Sequence, residues 1–107
     1  MTECRVDESK IVDYLLNLNH PDGAAKAKFF LGGGFSRDNP SALADALKYH
    51  YKNNEPKEKY PDRFGGMRFV FEAPMRVPDG RKPNVISVWT IDDGEIVPRL
   101  ITAYPGD

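Results

Sequence analysis

PNVISVWTIDDGEIVPRLITAYP, residues 83–105, decides the fold. Two β-prone runs, Val85 to Ile91 and Ile96 to Tyr104, flank Asp92-Asp93-Gly94. That glycine permits the positive φ of a tight turn, so the pair predicts an antiparallel hairpin. The second run also carries Arg99, Thr102 and Tyr104. A strand buried only for packing seldom needs all three.

Upstream, residues 67–77 alternate around Phe69 and Phe71 and predict a third strand. Pro74 cannot donate to a ladder, so it marks a bulge or an edge. Pro78-Asp79-Gly80 makes the turn into Val85. The polar stretch from Asn53 to Gly66, with two prolines and two glycines, predicts a long loop. Everything before it reads as helix. A first helix begins near Asp7 as N-cap, buries Ile11, Leu15 and Leu18 with Tyr14 beside them, and stops at Asn19-His20-Pro21. A second runs from about Gly23 to Leu31, capped by Asp22 and ended by Gly32-Gly33-Gly34. Asn39-Pro40 opens a third, with Leu43, Leu47 and Tyr51 at spacing four and Ala46 and His50 adjacent. The expected fold is α+β: about three N-terminal helices packed on one face of a C-terminal antiparallel sheet. One domain is expected over 1–107, with a helical half at 7–53, a loop at 54–66 and the sheet at 67–105.

Composition narrows the function classes. At 107 residues the chain is long enough to bury a core without metal or disulfide. Its 29% charged and 40% apolar residues are ordinary for a globular domain. No apolar run approaches the ~18 residues of a membrane span, so no membrane partner is expected. No signal-peptide pattern stands at the start. Cys4 is the sole cysteine, which excludes an intrachain disulfide and points to a free thiol in a reducing compartment, by default the cytoplasm. The net charge of −1 argues against a globally basic nucleic-acid binder. From Arg63 to Lys82, however, five basic residues stand against two acids, a bias that reads first as a solvated face.

Few chemical motifs stand out. Gly32 to Gly34 follows a helix and lacks a succeeding Lys-Ser or Lys-Thr, so it is a helix exit and not a phosphate loop. His20, His50 and Cys4 have no metal-ligand spacing, and neither metal nor cofactor is expected. His20, in a turn between helices, is placed either to open that turn or to serve a cleft as acid or base. His50, beside an apolar stripe, reads as a satisfied core histidine. Lys26 and Lys28 read as helix surface, although Lys26 adjoins the Ala25 face and can reach over the sheet. Arg99 and Thr102, three apart, share a face only if the strand is bulged, which Pro98 makes plausible. Thr102 and Tyr104 share one face; Trp89 reads as core before it reads as a ligand platform.

Two segments, YLLNLNHPDGAAKAKFF (Tyr14 to Phe30) and VWTIDDGEIVPRLITAYP (Val88 to Pro105), resemble a family of small bacterial domains of unknown function associated with phages and polymorphic toxins. The closing strand also looks like that of toxin nucleases with the barnase–colicin–RelE type of fold. That resemblance implies helices before an antiparallel sheet and metal-independent cleavage of RNA through its 2′-hydroxyl. It implies His20, Lys26, Arg99 and Thr102 as catalytic residues, with Tyr104 and Trp89 contacting substrate. The chain departs from that pattern in showing no evident fourth strand. The alternative is a non-enzymatic, immunity-like or phage-associated binding module with a cognate protein partner.

Overall fold

The computed structural model describes residues 3–106. Three helical segments precede a four-stranded antiparallel sheet in meander order. A short α1, Glu8–Lys10, runs directly into a π-helical turn, Ile11–Leu15. Helix α2 is Ala24–Gly32 and α3 is Pro40–Lys52. The strands are β1 Glu58–Pro61, β2 Met67–Pro74, β3 Asn84–Ile91 and β4 Arg99–Pro105.

The fourth strand comes from the stretch expected to be loop. β1 pairs with β2 from Glu58↔Val70 to Pro61↔Met67. All four of its residues are exposed, so no hydrophobic alternation betrays it in the sequence. Its shortness also explains Pro74. β2 is central only as far as Val70, and Pro74 lies beyond the reach of β1, where its missing N–H costs nothing.

The hairpin forms as the turn chemistry dictates. Glu95 N donates to Asp92 O at 2.9 Å, and Gly94 adopts φ 84°. The second strand begins later than expected, however, at Arg99. Ile96 is 87% exposed, and Pro98 has no N–H to enter a ladder. Pro98 instead accepts from Arg5 N at 2.8 Å, while Leu100 N donates to Arg5 O at 2.9 Å. The N-terminal segment thus lies beside the start of β4 as a parallel bridge.

The first helix differs most from its expected form. Leu16 N bonds Ile11 O at 2.8 Å, an i→i+5 link that adds a residue to the turn and rotates the residues after it. Leu15 and Leu16 are therefore both buried, and Leu18 is 56% exposed. The Asp7 side chain makes no capping bond and pairs with Arg5 instead.

Trp89, Val85, Leu100, Ala103 and Phe71 share one sheet face by register and merge with Ile11, Leu15, Phe30, Leu43 and Leu47 into one core. Trp89 has no exposed surface and packs on Tyr51 of α3 with ring centroids 4.9 Å apart. Its indole N–H donates to Ser87 Oγ at 2.9 Å. Ser87 Oγ also lies 2.8 Å from His50 Nδ1, and His50 Nε2 lies 3.0 Å from Ala73 O. One tautomer satisfies every group: His50 carries its proton on Nε2, which donates to Ala73, and the Ser87 hydroxyl donates to Nδ1. Burial pushes the His50 imidazole below its ordinary 6.5, and contacts with the backbone of Ala73 and Val85 recover only part of that.

Stability should respond at both of these core positions. Trp89→Ala removes a fully buried indole and its anchor, and should lower unfolding free energy by about 3–5 kcal/mol in denaturant titrations. His50 is neutral when folded and gains a proton more readily when unfolded, so its contribution is complete above pH 6.5. It is lost as pH falls from there toward the lower folded-state value. Thermal melts of His50→Gln should show a flatter dependence over that window than wild type; an identical slope would assign the acid sensitivity to other groups.

Candidate functional site

The π turn sets the site. It carries Tyr14 out of the apolar stripe and aims its phenol at the edge strand β4. Tyr14 Oη lies 2.9 Å from Thr102 Oγ1, a link between residues 88 apart in sequence. Lys26 Nζ donates to the same oxygen from α2. Lys26 also stands 4.9 Å from the Tyr14 ring centroid and 5.8 Å from that of Tyr104, and Lys10 stands 5.4 Å from Tyr14. His20 meets the Tyr14 ring edge-on at 4.9 Å between centroids.

The turn HPDG builds the other wall. His20 Nδ1 accepts from Asp22 N at 3.0 Å and Gly23 N at 3.1 Å. The ring therefore performs the capping expected of Asp22, and α2 starts at Ala24 without a side-chain cap from Gly23. With Nδ1 occupied as an acceptor, neutral His20 must carry its proton on Nε2. The histidine thus fixes the turn, and its neutral ring keeps one defined donor on Nε2. Gly23 is required here by space. A Cβ would fall 2.7 Å from Tyr14 O and 2.8 Å from Tyr14 Cδ1.

Between these groups opens a cleft of about 550 Å³, walled by Tyr14, His20, Thr102, Lys10 and Asp13. Burial raises the Tyr14 phenol, but the hydrogen bonds from Lys26 and Thr102 and the charges of Lys26 and Lys10 outweigh it. The net effect holds Tyr14 below its ordinary 10.0. Its bonding also suits ionisation. As phenol it donates to Thr102; as phenolate it accepts from both Thr102 and Lys26, so no partner is lost.

The structure brings His20, Lys26 and Thr102 against Tyr14 and Tyr104 beside Lys26; of these, His20 and Thr102 line the cleft itself. Arg99 is not among the groups lining the cleft: its Nε reaches Asp92 Oδ2 at 2.7 Å and its Nη2 reaches Asp92 Oδ1 at 3.2 Å. A register shift between Val88 and Trp89 leaves Ile101 as an extra residue in β4. Arg99 opposite Thr90 and Thr102 opposite Val88 therefore do lie on one face. Trp89 points to the other face, into the core. Lys28 is exposed. Sequence reasoning missed Tyr14 as a site residue because it sits one position from the apolar stripe. A local signal existed only in hindsight of the π turn, which separates it from Leu15. Among the described residues no three His, Cys, Asp or Glu side chains gather as a metal site.

A family described as a domain of unknown function, DUF6883, matches residues 1–107. No curated protein matches the chain. Among solved structures, a chain of a contact-dependent growth inhibition toxin–immunity protein complex from Klebsiella pneumoniae 342 is similar, with a TM-score of 0.70 and 21% identity. The similarity covers 94% of this chain and 98% of that one. At that identity the likeness shows the fold.

If the contacts around Tyr14 set its ionisation, an ultraviolet phenolate titration should show a transition below the ordinary 10.0 that disappears in Tyr14→Phe. Lys26→Met should move the Tyr14 transition to higher pH. A titration curve unchanged by the substitution would show that Lys26 does not govern it.

Proposed function

We propose that this chain, which belongs to the DUF6883 family, is a ribonuclease-like, toxin-type domain that cleaves RNA by 2′-hydroxyl attack in the Tyr14 cleft. The observation that carries the reading is one phenol held by Lys26 and Thr102 and faced by His20. In-line attack on a phosphodiester needs a base, a donor for the leaving oxygen and charge compensation for the phosphorane. Tyr14, depressed in pKa, takes the 2′-hydroxyl proton. His20 Nε2–H hydrogen-bonds the departing 5′-oxygen, which takes its proton from solvent. Lys26 and Thr102 bind the non-bridging oxygens, and Tyr104 lies beside them to stack on a base. Arg99, on the same face, holds phosphate once released from Asp92. Trp89 supports the site from beneath the sheet and touches no substrate. The metal-independence implied by the resemblance remains part of this reading.

One observation favours a second reading. Arg99 is engaged by a local carboxylate, as in a non-enzymatic, immunity-like module that pairs with a cognate protein. The similar solved chain comes from a toxin–immunity complex, which is compatible with either role.

Purified protein should cleave single-stranded RNA with a chelator present and leave cyclic phosphate ends. Tyr14→Phe and His20→Ala should each reduce the rate by about 10²–10⁴-fold while far-ultraviolet circular dichroism is retained. A wild-type protein inert towards varied RNAs, or equal residual cleavage in wild type and both variants, sinks the proposal.

A further inference from the structure

The sheet face turned away from the core carries an ordered row of polar side chains. Directly opposed residues of neighbouring strands point the same way. The register therefore aligns Tyr60, Arg68, Thr90 and Arg99 across β1 to β4, with Arg5 bridging beside Arg99; Thr90 is buried between the two arginines with its hydroxyl near Met67 O and Asp62 Oδ2, which leaves Tyr60, Arg68 and Arg99 as the members with accessible surface. Thr102 lies on this face opposite Val88, one two-residue step from the row, about 7 Å away.

Arg68 is the informative member. Arg5, Lys57, Arg81 and Arg99 each pair with a carboxylate, whereas Arg68 has no ion-pair partner among the described residues. Its Nε is buried and makes no hydrogen bond. A guanidinium with a shielded, unsatisfied N–H is costly unless an acceptor arrives to meet it. Asp62 and Asp92 feel its charge without reaching it. Asp62 Oδ1 accepts from Phe64 N and Gly66 N, its Oδ2 lies 3.4 Å from Thr90 Oγ1, and Asp92 holds Arg99. Next to Arg68, Tyr60 is 42% exposed on the edge strand. Arg68 and Arg99 stand two interstrand steps apart, about 10 Å. Cations at such intervals beside an exposed aromatic ring suit a single-stranded polynucleotide, whose phosphates repeat and whose bases stack without sequence preference.

We infer that the row Tyr60–Arg68–Arg99 is a subsite for the flanking backbone of single-stranded RNA, which it leads over the outer side of the sheet towards the Tyr14 cleft. This rests on the ribonuclease reading for its ligand class, and Arg68 is a binding residue with no part in the chemistry. The basic bias between Arg63 and Lys82 is thereby divided: Arg68 serves the substrate face, while Arg76 and Lys82 line a separate groove beside α3.

The test uses a labelled single-stranded RNA with every 2′-hydroxyl methylated, so that it cannot be cleaved by that route. Binding is measured by fluorescence anisotropy across a salt series for wild type, Arg68→Gln and the off-face control Lys82→Gln. Arg68→Gln should weaken binding about tenfold and flatten the log–log salt slope by about 0.7, with Lys82→Gln unchanged. Equal losses in the two variants, or none in Arg68→Gln despite an unchanged melting temperature, overturn the subsite. So does a wild type that binds no RNA, including one that uses this face for an acidic protein. Wild type that binds through Arg68 yet fails to cleave unmodified RNA supports the subsite and sinks the ribonuclease reading. Cleavage by wild type with Arg68→Gln binding normally does the reverse.

Discussion

The indole of Trp89 imposes the constraint on which the rest depends. It is large enough to require the centre of the sheet and it carries an N–H that must be met there. Ser87, on the same face two residues earlier, meets it, and the serine's own hydrogen then requires an acceptor. Helix α3 delivers one, through His50. The third helix is thus placed over the middle of the sheet by a hydrogen-bond chain and by apolar area together. Area alone permits sliding; the chain of directed bonds permits one position. With α3 so placed, the shorter helical segments are left to cover the β4 side, and Tyr14 arrives where the sheet edge begins.

That seam explains the character of the candidate site. Its members come from the π turn, the HPDG turn, α2 and β4, and no single element holds two of the principal charges. A phenol bonded to an ammonium and a hydroxyl across such a seam is positioned by tertiary packing, with the Gly23 backbone pressed against it. The cost of that closeness is that the glycine can accept no side chain. Preorganised groups of this kind are what transition-state stabilisation needs, because they do not reorganise when charge develops.

Much of the fold was legible because punctuation and periodicity agreed. Asn39-Pro40, the Pro-Asp-Gly turn and Asp92-Asp93-Gly94 each carry a mechanism, and each marks a boundary within a few residues of the observed one. Two features escaped. β1 is exposed throughout and has no alternating pattern. The π turn depends on a shift of its hydrogen bonding to i→i+5, which no propensity encodes. A bulge in the last strand was foreshadowed by Pro98, but its position, with Ile101 as the extra residue, was not. The site followed the same division. His20, Lys26, Thr102 and Tyr104 could be singled out by type and turn context. Tyr14, which joins them, looked like the flank of an apolar stripe. Arg99's engagement by Asp92 required knowing how the hairpin loop folds back.

The bridge between Arg5 and β4, together with the Tyr14–Thr102 bond, has a kinetic meaning. Both join residues separated by nearly the whole described chain, so the loops they close are the longest available and the slowest to form. The helices can form as they are synthesised, and β2 can pair with β3. The cleft cannot exist until β4 has been made and has docked. During synthesis the nascent domain therefore holds one wall of its site without the other, and whatever the cleft does begins only with the last strand.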